Sequence, residues 1–355
     1  MSLTTITAAQ ALQTLSRFDA IIDARSPSEF ELDRLPNALN WPSLNDEERI
    51  RVGTTYKQVN AFEARKIGGA FVARNVAAHI EAYCQDKDKS WKPLIYCWRG
   101  GKRSGSLALI LGQIGFDVHL IEGGYKAFRA EMVADLTLLS AQFDYRVVCA
   151  PTGSGKTRLL QALKAAGAQV LDLEDLANHR SSVLGLVPGQ VQPSQKQYDM
   201  RIWQALKSLD PARPVFVESE SKKVGNVAIP EHLITAMRSG RCLRLDLPLN
   251  ARVGLLLEDY AHFVNDPEFF CARLEVLIPL RGKAVVQSWQ DAARQGHMAE
   301  VVEDLLNNHY DPSYLASMER NFKHYGTADV HAMQEYSHAA FANLAAQMIQ
   351  ALCAA

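Results

Sequence analysis

No two of the six cysteines, Cys84, Cys97, Cys149, Cys242, Cys271 and Cys353, stand at C-x-x-C spacing, and no His/Cys cluster has metal-ligand spacing. This argues against a structural zinc site, and the thiols read as reduced, in a cytoplasmic protein. Neither sign of charge dominates: 38 Lys and Arg against 39 Asp and Glu leave a net charge of −1. A global basic field is therefore lacking, and any RNA contact must come from a local patch. No apolar run reaches membrane-spanning length. The first residues, Met1 to Thr5, carry no basic stretch leading into an apolar one, so no signal peptide is expected. Internal repeats and low-complexity segments are absent too. What remains is an ordinary globular composition, 48% hydrophobic and 22% charged, on a chain of 355 residues that is long enough for two domains.

The sharpest chemistry lies at Cys97. An apolar run, Leu94 to Tyr96, reads as a short buried strand. It is followed by Cys97, Trp98, Arg99, Gly100, Gly101, Lys102, Arg103 and Ser104, and a helical pattern then begins near Leu107. A cysteine at a strand end, near a helix N-terminus and among cations, favours thiolate over thiol, so its pKa is expected below the ~8.5 of a free cysteine. Gly100 and Gly101 let successive backbone N–H groups turn inward as an anion-binding nest.

Around this loop, strands at 20–23, 94–96 and 118–121 alternate with helices at 6–18, 68–83 and 104–114, which predicts a parallel α/β sheet covered on both faces. The stretch 44–62 is polar and mixed and gives no assignment. A helix over 131–142 is expected to join two domains, one spanning 1–135 and one spanning 136–355.

A second organiser opens the second domain. The strand ending at Ala150 runs into Pro151, Thr152, Gly153, Ser154, Gly155, Lys156 and Thr157, and then into a helix. This is a Walker A pattern in its strand–loop–helix context, with Ala150 where the first glycine usually stands. Backbone N–H groups at such a loop cradle phosphate oxygens, Lys156 adds a point charge, and Thr157 can reach a phosphate or a Mg²⁺. A strand at 169–175 ends in carboxylates, and the apolar strand at 214–221 ends in Glu218, Ser219 and Glu220, where a Walker B acid belongs. A further strand is expected at 242–247. From 250 to the end nearly everything reads as helix, with Asp311 to Tyr314 as a turn or helix start.

The first third of the chain resembles the rhodanese family, on 21–30, 35–42, the Cys97 loop and 120–128. That resemblance implies a sulfur-carrying cysteine at Cys97. Arg103 lies six positions beyond it, a C-x5-R spacing shared with rhodanese-like phosphatases, one residue longer than the usual sulfur-transferring loop. A larger loop suits a larger group, such as phosphate or a selenium-bearing species.

Across both domains the chain resembles the bacterial tRNA 2-selenouridine synthase family. The resemblance rests on Cys97 to Ser104, Thr152 to Thr157, Asp172-Leu173-Glu174, His179-Arg180, Gln192 to Lys196 and Glu218-Ser219-Glu220, with Ser181 where glycine is expected. It implies an N-terminal rhodanese-like parallel-sheet domain and a C-terminal P-loop NTPase-like α/β domain with a helical tail. It also implies a transferase acting on the wobble 2-thiouridine of tRNAs for Lys, Glu and Gln. Geranyl diphosphate would supply an S-geranyl intermediate, and selenophosphate, from a separate supplying enzyme, would then exchange sulfur for selenium. Cys97 is then the catalytic residue. Residues 98–104 form the selenophosphate loop and residues 152–157 the diphosphate loop. Asp172, Glu174, His179, Arg180, Gln195, Lys196, Glu218 and Glu220 are supporting or substrate-contacting residues. No tightly bound cofactor and no resident metal are expected, and a Mg²⁺ requirement stays open. Two other classes also fit the motifs: a P-loop kinase or ATPase with a rhodanese-like regulatory domain, and a C-x5-R phosphatase joined to a binding module.

Overall fold

The structure, a computed structural model, describes residues 2–180, 182, 184–185 and 189–354; Ser181, the departure noted above, lies outside the described residues. The chain forms two compact units, Met1–Thr137 with Ser194–Gln204, and Leu138–Pro193 with Ala205–Ala355.

The first unit is built on a five-stranded sheet of β1 (Ser2–Ile6), β2 (Ala20–Asp23), β3 (Ala38–Asn40), β4 (Pro93–Tyr96) and β5 (Asp117–Ile121). The order is β1-β5-β4-β2-β3 and every pairing is parallel. All four residues of β4 are buried, as a central strand covered on both faces requires. Its core joins Ile22, Ile95, Leu107, Leu111 and Val118 to Trp41 and Trp91.

Sequence reading and structure differ at several places here: β3 and the helix Pro27–Leu32 were not expected, and the helix read over 131–142 runs from Gly124 to Ser140. The helix expected from Ile6 begins at Ala8, because Thr7 caps it in a reciprocal box with Gln10, and residues 2–6 pair with β5 as an edge strand. The unassigned stretch 44–62 is almost entirely helical: Asp46–Gln58 forms one helix and Ala61–Tyr83 a second. The first of these buries no residue and so has no apolar stripe to read. Its visible signals were the Asn45/Glu48 capping box and three acids in its first turn.

The second unit holds β6 (Tyr145–Cys149), β7 (Gln169–Leu171), β8 (Val215–Glu218), β9 (Lys223–Val224), β10 (Val227–Ala228), β11 (Arg241–Asp246) and β12 (Asp329–Ala332). Its main sheet runs β12-β11-β6-β8-β7, again all parallel, and β9 and β10 form a small antiparallel pair. The chain leaves β6, passes over β8 to β7, returns to β8 and then crosses to β11. The strand order therefore reverses at β6, where open parallel sheets bind ligands outside their carboxyl ends.

The strand expected over 169–175 stops at Leu171, because the Asp172 carboxylate caps a short helix, Leu173–Leu176, by accepting from Asp175 N–H. The tail is mostly helical, as expected, but it also returns β12 to the sheet edge beside β11. Four residues, three of them exposed, are too few to show a period of two. Among the described residues no helix is long and apolar enough to cross a membrane.

Candidate active site

At the end of β4 the Cys97 thiol is 3% exposed. Its sulfur accepts hydrogen bonds from Ser104 Oγ at 3.0 Å and from Gly101 N–H at 3.3 Å. Both donors come from the start of the helix Lys102–Ile114. The backbone N–H groups of Trp98, Arg99 and Gly100 donate to no acceptor among the described residues. Gly100 holds a φ of +66°, and a Cβ there would lie 3.0 Å from Ile121 O and 3.1 Å from Gly123 N. The turn at Gly123 and Gly124 packs from below: a Cβ on Gly124 would come 2.2 Å from Cys97 O. Tyr125 and Lys126 N–H donate to Cys97 O at 2.8 Å and Trp98 O at 3.1 Å, which pins the loop and leaves its N–H side free.

The loop cations divide into two kinds. Arg99 and Lys102 are exposed. Arg103 is not free: its Nη1 donates to Glu29 Oε2 at 2.7 Å, and Glu29 also meets Arg49 at 3.2 Å. Burial works against the Glu29 carboxylate, but Arg103 and then Arg49 outweigh it and hold its pKa below the usual range. Any anion in the loop thus meets an Arg103 already partly compensated.

Trp98 stacks on Tyr125 with centroids 5.4 Å apart, and Lys196 Nζ lies 5.6 Å and 5.9 Å from the two ring centroids. Lys196 comes from the segment Ser194–Gln204, which belongs to the first unit. That segment is anchored by Ser194 Oγ to Leu32 O, by Arg129 to Lys196 O and Asp199, and by Trp203 Nε1 to Asp135. Gln195 donates to Asp199. Gln195 and Lys196 therefore lie with the Cys97 unit and not with the P-loop they follow in sequence. Arg129 went unread, and Glu29 and Tyr125 entered only within the stretches 21–30 and 120–128, because each is an ordinary residue type until the fold gives it a partner.

In the second unit Gly153 and Gly155 hold φ of +78° and +81°. A Cβ on Gly155 would come 2.3 Å from Phe341 Cζ, so both conformation and space demand glycine. Lys156 Nζ donates to Ala150 O at 2.8 Å and lies 5.4 Å from the Tyr314 ring centroid. Thr157 Oγ1 donates to Glu174 Oε2 at 3.3 Å, and Glu174 N–H donates to Glu218 Oε1 at 2.9 Å. Glu218 and Glu220 are buried. Burial first, then Asp172, Glu174 and Glu220, pushes the Glu218 carboxyl well above its ordinary pKa. Burial also pushes Asp172 up to about 6. His179 is buried, which lowers its pKa, and its backbone N–H donates to Glu174 O.

Arg252, unread in the sequence, fixes the loop from behind. Its guanidinium donates to Thr152 O at 2.7 Å and 3.0 Å and pairs with both oxygens of Asp311. Arg180 donates to Asp259 O and lies over the Tyr260 ring at 4.7 Å. A cavity of about 590 Å³ opens over Thr152 to Arg158, with Glu174, Arg180, Ser219, Glu220 and Tyr314 in its walls. It can hold an anion larger than one phosphate against backbone N–H groups, one lysine and two arginines, Arg158 and Arg180.

Comparison with known proteins agrees with this two-part layout. The rhodanese-like domain model matches residues 7–131, and the model of the tRNA 2-selenouridine synthase AAA domain matches residues 143–275. The tRNA 2-selenouridine synthase of Bdellovibrio bacteriovorus is 30% identical over 90% of this chain and 94% of its own length. The chain belongs to the tRNA 2-selenouridine synthase family. The synthase of Nitrosomonas europaea is 38% identical over 68% of this chain, and the match spans 63% of that relative's length. A rhodanese-related protein of known structure from Thermoplasma volcanium is 17% identical, with 36% of this chain and 92% of that one covered and a TM-score of 0.24.

Proposed function

We propose that this chain converts the 2-thio group of a tRNA wobble uridine, in tRNAs for Lys, Glu and Gln, into a 2-seleno group, in the cytoplasm. The reading has two steps. The base sulfur first attacks the first carbon of geranyl diphosphate. A C–S bond forms, the C–O bond breaks, and its electron pair leaves on the diphosphate. The selenium of selenophosphate then attacks the same base carbon, the C–S bond breaks and the geranyl thiolate departs with its electron pair, and water cleaves the Se–P bond to release phosphate and leave the 2-seleno group.

The observation that carries this reading is the chemical difference between the two anion cradles. At Cys97 a soft sulfur lies beside unpaired N–H groups and exposed cations, which suits a donor with a soft selenium and a phosphate end. At Thr152 to Thr157 there is no soft atom in the loop, only N–H groups, hydroxyls and Lys156, which suit a leaving diphosphate as its charge develops. A Mg²⁺ arriving on that diphosphate would meet Thr157 and Glu174.

Nucleoside mass spectrometry of tRNA from cells with and without the gene, grown with selenite, tests the reading. The 2-seleno nucleoside is expected only where the gene is present. With the purified protein, geranyl diphosphate alone should give the S-geranyl nucleoside. ATP turnover without tRNA, and no geranyl product, would favour a nucleotide-driven enzyme instead. Release of phosphate from a generic aryl phosphate through Cys97 would favour a phosphatase.

A further inference from the structure

The phosphate cavity does not close on polar residues. It shares Thr152, Leu256, Tyr260 and Tyr310 with a second, narrower cavity in the same unit. Leu257, Phe263, Val264, Phe270, Val302 and Leu306 supply most of the remaining wall, and no charged side chain lines it among the described residues. Leu256, Leu257 and Tyr260 are only half-buried, and Val264 is 40% exposed. This cavity lies directly against the anion cradle, with which it has wall residues in common.

The element between them is unusual. Leu306–Tyr310 is a π-helical turn, a form that is rare and concentrated at functional sites. It places Leu306 and Tyr310 in the apolar wall. The next residue, Asp311, pairs with the Arg252 that holds Thr152 O. One short turn thus fixes both the apolar wall and the mouth of the phosphate loop. A purine would find few hydrogen-bonding groups there, whereas a hydrocarbon chain attached to a diphosphate fits the change from polar to apolar lining.

We propose that this apolar cavity holds the hydrocarbon chain of the diphosphate ester whose head lies on the P-loop, and that Leu257 limits the chain length accepted. The assignment rests on the two-step reading above. Its test is calorimetric binding to the full chain of inorganic diphosphate and of non-transferable thiolodiphosphates bearing C5, C10 or C15 isoprenoid chains. In the parent the C10 chain should tighten binding at least about tenfold over inorganic diphosphate, since each buried methylene adds affinity. Leu257→Trp should erase that gain for C10 while binding inorganic diphosphate within about twofold of the parent, as only the tail's space is removed. Leu257→Ala, the variant to use should the tryptophan protein not fold, should extend the gain to C15.

A C10 gain that is equal in the parent, Leu257→Trp and Leu257→Ala overturns the chain subsite alone and leaves the diphosphate loop standing. Affinity in the parent that is independent of chain length also overturns the subsite. No binding of inorganic diphosphate, together with no transfer of any chain to tRNA, overturns the diphosphate reading of the P-loop and the subsite with it.

Discussion

Two donors at a helix start, Ser104 Oγ and Gly101 N–H, hold the Cys97 sulfur. Ser104 is fully buried and its hydroxyl donates to the sulfur at 3.0 Å, so it orients that sulfur from a fixed position. A typical hydrogen bond contributes ~0.5–1.5 kcal/mol, so Ser104→Ala should slow selenation by roughly two- to tenfold. Cys97→Ala should abolish it. Both are read as 2-seleno nucleoside formed per minute from S-geranyl tRNA and selenophosphate. A Ser104→Ala protein at the parental rate would show that the hydroxyl serves packing only. Cys84, Cys149, Cys242 and Cys271 are also buried, but none has a helix-start donor on its sulfur (Cys149, at the end of β6, meets Cys242 and Ser219), and their serine variants should keep activity if they fold.

At the scale of the elements, what was legible is what recurs locally. The strand–cysteine–glycine–helix and strand–glycine–lysine–helix junctions were readable because strand, turn and helix N-terminus follow each other within a dozen residues. The acids after β7 and β8 were readable as acids. Their roles were not, because burial and mutual repulsion arise only when the strand ends come together. The helix Asp46–Gln58 escaped because it buries nothing, β12 because it is short, and Arg252 because a buried arginine has no sequence signature until Thr152 O and Asp311 are in place. Lys196 follows the P-loop strands in sequence yet lies over Trp98 and Tyr125, which only the tertiary fold could reveal.

The acid cluster gives this scale its prediction. Asp172 is pushed up to about 6 by burial. A carboxyl that holds its proton more tightly when folded stabilises the protein fully below its unfolded value of about 3.9, and that contribution is lost as pH rises through about 6. Denaturant midpoints should therefore fall between about pH 4 and 6 in the parent. Asp172→Asn keeps a capping side chain for Asp175 N–H but cannot ionise, so its midpoints should fall less over that range. Parallel curves for the two proteins would assign the pH dependence to other groups.

For the whole molecule, the two loops stand in different compact units and differ in chemistry, so the two donors should be separable by mutation. Lys156→Ala removes the one lysine in the P-loop and should suppress S-geranylation. On the two-step reading the S-geranyl nucleoside precedes selenation, so the same variant should also fail to selenate plain 2-thiouridine tRNA. Supplying tRNA already carrying the S-geranyl group should restore selenium incorporation at least partly, because the Cys97 loop is untouched. Cys97→Ala should show the opposite pattern, accumulating S-geranyl tRNA that no added donor converts. Purified variants, one tRNA and nucleoside mass spectrometry after each donor is added singly suffice for the comparison. Geranylation by Lys156→Ala at the parental rate would remove the diphosphate from the P-loop and leave a nucleotide as its best candidate ligand. Failure of Lys156→Ala to selenate the pre-geranylated tRNA, with Cys97 intact and the protein folded, would instead mean that the P-loop is needed in both steps and that the work is not divided by domain.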